Sequence, residues 1–288
     1  MSKKNPEYDF KWCPGCGDFG VRRAIEMAIV ERVNKTGLPV ENNVVVAGIG
    51  CSGNMVHLLE GPQPFGIHGI HGRTLPIALG IKMGRPELNV LVVAGDGDFL
   101  SIGGEHIGPQ AQRNLNVTVV VMDNGVYGLT KGQSSPTTEL GVITSSTPYG
   151  KLERPLNPLD LYLSLGVSFI ASGFSAQLKH LSQLIVEGME HPGFAIIHVQ
   201  SPCTTYNDTF EALKGNEKKG LQPMVHPVPA THDPADRRAA YDLIHSKGIP
   251  LGVVYKNPDS TPLEQRAAKA AEKARVQSVA QLFAGMRT

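Results

Sequence analysis

The chain has 288 residues, of which 41% are hydrophobic and 18% charged, so it is long enough to bury a substantial core. Lys and Arg number 27 against 26 Asp and Glu, which leaves no basic excess for binding a nucleic-acid backbone. No apolar run approaches the roughly 20 residues of a membrane span, and no secretory signal is visible. We therefore expect a cytoplasmic globular protein without nucleic-acid or membrane partners.

Short apolar strands alternate with helical patterns along the first 200 residues. The predicted strands are Val44–Ala47, Val90–Ala94, Val117–Met122 and Phe194–Val199. The predicted helices are Asp18–Lys35, Thr74–Met83, Gly104–Arg113, Pro158–Leu165 and Ser175–Glu190, the last with Ser175 as its N-cap. This alternation predicts an α/β fold, an open and mostly parallel sheet with helices on both faces.

The composition changes after about Asn207, where the apolar strand pattern stops. The segment Glu211–Pro229 is rich in Lys, Gly and Pro and is predicted to be a loop. Helical patterns over Asp233–Ser246 and Thr261–Phe283 flank an extended piece, Pro250–Lys256. We therefore divide the chain into a main domain, residues 1–210, and a C-terminal extension, residues 211–288.

Four cysteines are distributed so that they can meet at one edge of the predicted sheet. Cys13 and Cys16 form a C-x-x-C pair, while Cys51 and Cys203 each follow a predicted strand. Residues just past the carboxyl ends of parallel strands converge on one crevice. Four thiolates suit a [4Fe–4S] cluster or a structural zinc. The alternative is a pair of buried structural cysteines with an incidental C-x-x-C turn or dithiol redox pair.

The first glycine-rich loop, Gly48-Ile49-Gly50-Cys51-Ser-Gly, matches the dinucleotide fingerprint G-x-G-x-x-G. That fingerprint also needs a following helix and an acidic residue about twenty positions on, and neither is present. The corresponding region instead contains His68, His71 and Arg73. We therefore favour a turn that presents Cys51 over a nicotinamide or flavin site.

The second glycine-rich loop, Gly95-Asp96-Gly97-Asp98, ends the strand Val90–Ala94, and Asn124 ends the next strand. Glycines let the backbone approach a pyrophosphate closely. The Asp96 carboxylate, the Asn124 amide oxygen and the Val126 carbonyl are oxygen ligands of the kind that Mg²⁺ prefers. The paired loops thus indicate a diphosphate and magnesium site, with ordinary polar turns as the alternative.

The span from Gly95-Asp96-Gly97 to Asn124 resembles the thiamine diphosphate motif. Together with the four cysteines, the stretch from His68 to Arg73, and the stretch from Tyr127 to Thr138, it resembles the β subunit of 2-oxoacid:ferredoxin oxidoreductases. The resemblance covers roughly residues 10–210. The stretch from Thr130 to Thr138 is more similar to the 2-oxoglutarate branch than to the pyruvate branch.

The resemblance implies a fold of the thiamine-diphosphate pyrophosphate-binding type and a defined set of cofactors. One [4Fe–4S] cluster would be held by Cys13, Cys16, Cys51 and Cys203, beside thiamine diphosphate. Its Mg²⁺ would be held by Asp96, Asn124 and the Val126 carbonyl. The further cofactor-binding candidates are Gly48, Ile49, Gly50, His68, Gly95, Gly97, Asp98, Tyr127, Gly128, Leu129 and Thr130.

The implied activity is oxidative decarboxylation of a 2-oxoacid with coenzyme A as co-substrate and ferredoxin as electron acceptor, reversible as CO₂ fixation. Lys131, His71 and Arg73 are candidate catalytic residues for anionic substrate groups. Two departures from relatives stand out: Asp123 replaces an Asn that many have, and Asn54 stands where some carry a basic residue.

The implied partner is an α subunit in an α2β2 assembly, because this chain has no second domain to supply the glutamate that thiamine enzymes use. The sheet edge and the C-terminal helices, including Arg266–Arg275, are candidate contact surfaces. A pyruvate or other 2-oxoacid oxidoreductase is the alternative within the family. The alternatives outside it are a non-catalytic iron–sulfur or zinc module and a thiamine decarboxylase without electron transfer.

Overall fold

The computed structural model describes residues 12–62, 64–272 and 278–286. The strands are β1 Asn43–Ala47, β2 Phe65–His68, β3 Asn89–Gly95, β4 Val117–Asp123, β5 Val126–Tyr127, β6 Gln133–Ser134, β7 Phe169–Phe174, β8 Phe194–Gln200, β9 Val225–Pro227 and β10 Ile249–Lys256. The α-helices are α1 Asp18–Thr36, α2 Met55–Leu58, α3 Thr74–Gly84, α4 Ile107–Arg113, α5 Pro158–Leu165, α6 Leu178–Glu190, α7 Phe210–Lys214, α8 Arg237–Ile244, α9 Leu263–Glu272 and α10 Val279–Gly285.

Eight strands form one sheet in the order β2-β1-β3-β4-β8-β7-β10-β9, and β5 and β6 form a separate two-stranded ribbon. Neighbouring strands of the large sheet are parallel except for β7 and β10, which are antiparallel. Helices cover both faces. The predicted open, mostly parallel sheet is therefore confirmed.

The central strands are buried on both faces, which explains why they are nearly continuous apolar runs. On β1, Val45 packs in the core beneath α1 and α6, whereas Val44 and Val46 pack in the core beneath α3, α4, α5 and α8. Side chains that alternate between the faces therefore build two cores, and the sheet between them is rigid support for the loops at its carboxyl edge.

The four predicted strands correspond to β1, β3, β4 and β8, each slightly longer than predicted. The prediction missed β7, because Ser172 and Gly173 interrupt its apolar run. The start predicted for α6 is wrong: the helix begins at Leu178, and the Ser175 amide instead donates to the Gln200 carbonyl at 3.0 Å. Residues 104–106 of the predicted Gly104–Arg113 helix form a 3₁₀ turn before α4.

In the C-terminal extension the structure corrects two predictions and confirms a third. The predicted loop Glu211–Pro229 includes most of α7 and all of β9. The extended piece Pro250–Lys256 lies in β10, which joins the sheet beside β7. The helix predicted over Asp233–Ser246 is the shorter α8, whose N-cap Asp236 side chain accepts from the Arg238 amide at 2.7 Å.

The pattern predicted as one helix, Thr261–Phe283, contains α9 and α10 with residues 273–277 between them outside the described residues. The candidate partner helix Arg266–Arg275 is described only as far as residue 272, within α9. The division at residues 210 and 211 stays a prediction. Among the helices that the structure describes, none is both long and apolar enough to cross a membrane.

His191 provides a test of the packing around α6. Its buried ring contacts the Ser168 hydroxyl through Nε2 at 2.8 Å. Burial, together with the positive charge of Lys256, lowers the pKa of His191 from 6.5 to about 4. As the pH drops, the His191 ring is protonated at a higher pH in the unfolded chain than in the folded chain. The free energy of unfolding should therefore fall as the pH drops from about 6.5 to about 4.

In urea titrations across this pH range, His191→Gln should flatten that fall. His245→Gln, at an exposed ring, is the matched control and should leave the slope unchanged. An unaltered slope in His191→Gln would show that other groups cause the acid sensitivity.

Candidate functional site

A cavity opens at the carboxyl edge of β1, β3 and β4. The residues that line it are Asp18, Ile49, Gly50, Cys51, Ser52, His71, Gly95, Asp96, Gly97, Asp98, Met122, Asn124, Val126, Tyr127, Gly128, Leu129 and Thr130. The structure thus brings most of the predicted cofactor residues to one place. Asp18, Ser52 and Met122 also line the cavity and were not singled out by the sequence.

Asp96 and Asn124 follow neighbouring strands, since Gly95 of β3 pairs with Met122 of β4. The Asp96 side chain is buried, and its Oδ2 accepts a hydrogen bond from Thr137 Oγ1 at 2.8 Å. Burial, followed by the nearby Asp123 carboxylate, raises the pKa of Asp96 above its usual range. A buried carboxylate that is costly to ionise alone is well placed to receive a divalent cation.

Asp123 belongs to a buried network that the sequence did not reveal. Its Oδ1 lies 2.7 Å from Thr137 Oγ1 and accepts from the Gly125 amide at 2.9 Å, while its Oδ2 contacts His198 Nε2 at 2.9 Å. Burial alone would raise the pKa of Asp123, but these donors and the charge of His198 lower it. The single Thr137 hydroxyl therefore lies between two buried carboxylates with different pKa values.

Asp98 holds the loops around the cavity in place. Its Oδ1 contacts His71 Nδ1 and accepts from the amides of Gly72 at 2.8 Å and Ile49 at 3.3 Å. A Cβ atom at Gly48 would lie 1.9 Å from Asp98 Oδ2, so only glycine allows this approach. The first glycine-rich loop is thus shaped by packing against Asp98, and it presents Cys51 to the cavity.

Hydrogen bonds join the segments that carry the four cysteines. Trp12 Nε1 donates to the Cys51 carbonyl at 2.8 Å, and Ser201 Oγ donates to Asp18 Oδ1 at 2.6 Å. The Gly17 amide donates to the Pro202 carbonyl at 3.0 Å. These bonds tie the C-x-x-C segment to the turns that follow β1 and β8.

Two of the thiols lie against the same glycine. A Cβ atom at Gly128 would lie 3.5 Å from Cys51 Sγ and 3.8 Å from Cys203 Sγ. Burial, followed by the charge of Asp18 and then by other cysteines, raises the pKa of Cys16 and raises that of Cys51 to about 12. All four cysteines are free. Without a metal, the partly buried thiols of Cys16 and Cys51 stay protonated, and metal binding would displace their protons.

Two further observations bear on metal binding. Among the described residues, no three His, Cys, Asp or Glu side chains already surround a single metal position. The four thiols and the oxygen donors nevertheless fit, in kind and number, a four-cysteine group and a magnesium site respectively. The predicted ligand sets therefore stay predictions.

The remaining predicted residues lie outside the cavity lining. His68 Nδ1 contacts His57 Nε2 at 2.9 Å. Arg73 donates to the carbonyls of Gly72 and Ile102 at 3.1 and 3.0 Å and pairs with Glu105 at 3.1 Å. Lys131 is exposed beside Thr130 and has a positive φ of 80°. Of the three candidates for anionic substrate groups, only His71 lines the cavity.

Two family models match consecutive parts of the chain. Residues 48–199 match the family described as "Thiamine pyrophosphate enzyme, C-terminal TPP binding domain". Residues 203–272 match the family that describes the C-terminal part of the pyruvate ferredoxin oxidoreductase beta subunit.

Two curated relatives cover most of the chain. The 2-oxoacid:ferredoxin oxidoreductase subunit beta of Saccharolobus solfataricus is 40% identical over 90% of this chain and 85% of its own length. The 2-oxoglutarate synthase subunit KorB of Archaeoglobus fulgidus is 38% identical over 72% of this chain and 77% of its own length.

A solved structure, the 2-oxoglutarate:ferredoxin oxidoreductase from Magnetococcus marinus with 2-oxoglutarate, coenzyme A and succinyl-CoA bound, is also similar to this chain. It aligns with a TM-score of 0.84 and 35% sequence identity, covering 98% of this chain and 94% of that chain.

The contact between Gly48 and Asp98 predicts an unequal effect of two alanine substitutions. Gly48→Ala should destabilise the fold by about 2 kcal/mol, because the new methyl group overlaps a buried carboxylate. Gly80→Ala is the matched control, since it lies exposed in α3 with open space around it and should stabilise by about 0.5–1 kcal/mol. Urea unfolding of both variants tests this, and equal effects would contradict the assigned packing.

Proposed function

The chain belongs to the β-subunit family of 2-oxoacid:ferredoxin oxidoreductases, and we propose that it is the β subunit of a 2-oxoglutarate:ferredoxin oxidoreductase. The observation that carries this proposal is the position of Gly128 between the predicted cluster ligands and the predicted magnesium ligands. A Cβ atom at Gly128 would lie within 4.0 Å of two cysteine sulfurs and of Asn124 Nδ2. An enzyme that passes electrons from a decarboxylated substrate to a metal cluster needs the substrate site and the cluster close together. Several relatives are named for 2-oxoglutarate, which supports that substrate.

We propose that the cavity holds thiamine diphosphate, with Mg²⁺ on Asp96, Asn124 and the Val126 carbonyl, and that the four cysteines hold one [4Fe–4S] cluster. When bound, thiamine diphosphate supplies the electron-sink chemistry for decarboxylation, and the cluster accepts single electrons. Coenzyme A would receive the acyl group and ferredoxin the electrons. The reverse reaction would fix CO₂.

The residues of the chain bind and orient within this scheme. The Thr137 hydroxyl fixes the Asp96 carboxylate, and Asn124 Oδ1 accepts from the Val126 amide at 3.0 Å, which shapes the turn that carries two of the proposed ligands. Tyr127 donates its hydroxyl hydrogen to the Gly97 carbonyl at 3.0 Å, and its ring closes one side of the cavity. These hydrogen bonds preorganise the site before a cofactor binds.

We propose that an α subunit lies over the mouth of the cavity and supplies the missing half of the thiamine site. Leu129 lines the cavity yet is 48% exposed, and Ile70, beside His71, is 74% exposed. Apolar side chains exposed at the edge of an active site are typical of a surface that a partner buries. The proposed assembly is α2β2 in the cytoplasm.

Lys131, His71 and Arg73 remain the candidates for anionic groups of the substrates. His71 is placed to act within the cavity. Lys131 is exposed and can turn toward a carboxylate, while Arg73 would first have to leave Glu105. Pyruvate is the second candidate substrate, favoured by the family match of residues 203–272.

The cofactor set is tested by metal and thiamine analysis of the complex purified with its α subunit without oxygen. We expect about four iron atoms and one thiamine diphosphate per β subunit. Cys51→Ser should lose the iron and lower turnover by more than about 100-fold, because one of four ligands is gone. Zinc in place of iron, or full turnover in Cys51→Ser, would overturn the cluster assignment.

The role of Thr137 is tested by Mg²⁺-dependent binding of thiamine diphosphate, measured by calorimetry. Thr137→Val removes the hydroxyl between Asp96 and Asp123 and should weaken Mg²⁺ binding by about 10- to 100-fold, as loss of a ligand's supporting hydrogen bond does. Thr137→Ser keeps the hydroxyl and is the control. Unchanged Mg²⁺ affinity in Thr137→Val would contradict the assignment of Asp96.

A further inference from the structure

Asn207 touches both proposed cofactor sites, one through its backbone amide and the other through its side-chain amide. Its backbone amide donates to the Cys203 carbonyl at 3.0 Å, and the two residues form an isolated antiparallel bridge. Its side-chain Nδ2 donates to the Asn124 carbonyl at 2.9 Å. One short turn therefore connects a proposed cluster ligand to a proposed magnesium ligand.

From this connection, and resting on the proposed function, we infer that Asn207 is a positioning residue that couples retention of the cluster to binding of thiamine diphosphate and Mg²⁺. Neither site contains Asn207 in its own ligand set. Its effect would pass through the main chain of Cys203 on one side and of Asn124 on the other.

The turn from Asp123 to Val126 is held from several directions, and Asn207 is one of its supports. Thr138 Oγ1 donates to the Gly125 carbonyl at 2.5 Å, and the Gly125 amide donates to Asp123. A Cβ atom at Gly125, where φ is +68°, would lie 2.7 Å from Asn207 Nδ2. The Asn207 amide therefore occupies the space that any other side chain at position 125 would need.

The coupling would arise from conformational freedom that the turn from Cys203 to Asn207 loses. When Cys203 is bound to a cluster, the turn from Cys203 to Asn207 is fixed at its first residue. The Asn207 amide is then in place before thiamine diphosphate binds, so less freedom is lost in ordering the Asn124 turn. Because the coupling of binding free energies between two sites is reciprocal, bound thiamine diphosphate and Mg²⁺ should in turn stabilise the bound cluster. We expect this stabilisation to appear as slower release of iron.

The experiment measures iron release from the anaerobic αβ complex to a coloured chelator, with and without saturating thiamine diphosphate and Mg²⁺. In the natural chain the cofactor should slow release about fivefold, the effect expected of one hydrogen bond. In Asn207→Asp, which keeps the shape but loses the donor, the slowing should be less than about twofold. Asn34→Asp makes the same change on an exposed part of α1 and should behave as the natural chain.

A second variant covers the case in which Asn207→Asp does not fold. Gly125→Ala displaces the Asn207 amide from the other side and should also lose the protection. Equal protection in the natural chain and in either folded variant would overturn the coupling while leaving the proposed function intact. A complex that contains no iron or binds no thiamine diphosphate would instead overturn the proposed function, and the coupling with it.

Discussion

Parallel pairing of β1, β3, β4 and β8 is the constraint on which the site depends. Strands that run in the same direction deliver the residues after their carboxyl ends to one edge of the sheet. Cys51 follows β1, Asp96 follows β3, Asn124 follows β4 and Cys203 follows β8. Four residues that are far apart along the chain thereby become neighbours, and the apolar cores on both faces hold that edge rigid.

This edge of the sheet carries a buried polar row, which an apolar interior tolerates only when each group has a partner. The Tyr162 hydroxyl contacts His198 Nδ1 at 3.2 Å, His198 Nε2 contacts Asp123 Oδ2, and Thr137 connects Asp123 with Asp96. The row ends at the carboxylate that we assign to Mg²⁺. Residues behind the cavity thus determine how that carboxylate is presented.

Local patterns predicted the four central strands, because each is a single apolar run, and the cysteine and glycine motifs predicted most of the cavity lining. The same patterns missed β7, whose run Ser172 interrupts, and Thr137 and His198, whose importance depends on contacts across the fold. The role predicted for Arg73 stays a prediction, since its guanidinium pairs with Glu105 in this structure. Spacing along a chain indicates which residues lie near an edge, but packing decides where each side chain points.

In the proposed enzyme, substrate oxidation and electron acceptance take place side by side at Gly128. The most direct test is electron paramagnetic resonance of the anaerobic αβ complex, frozen after addition of 2-oxoglutarate. We expect a reduced-cluster signal that requires the 2-oxoacid and is stronger with 2-oxoglutarate than with pyruvate. An iron-loaded, thiamine-loaded complex whose cluster stays oxidised with every 2-oxoacid would contradict it.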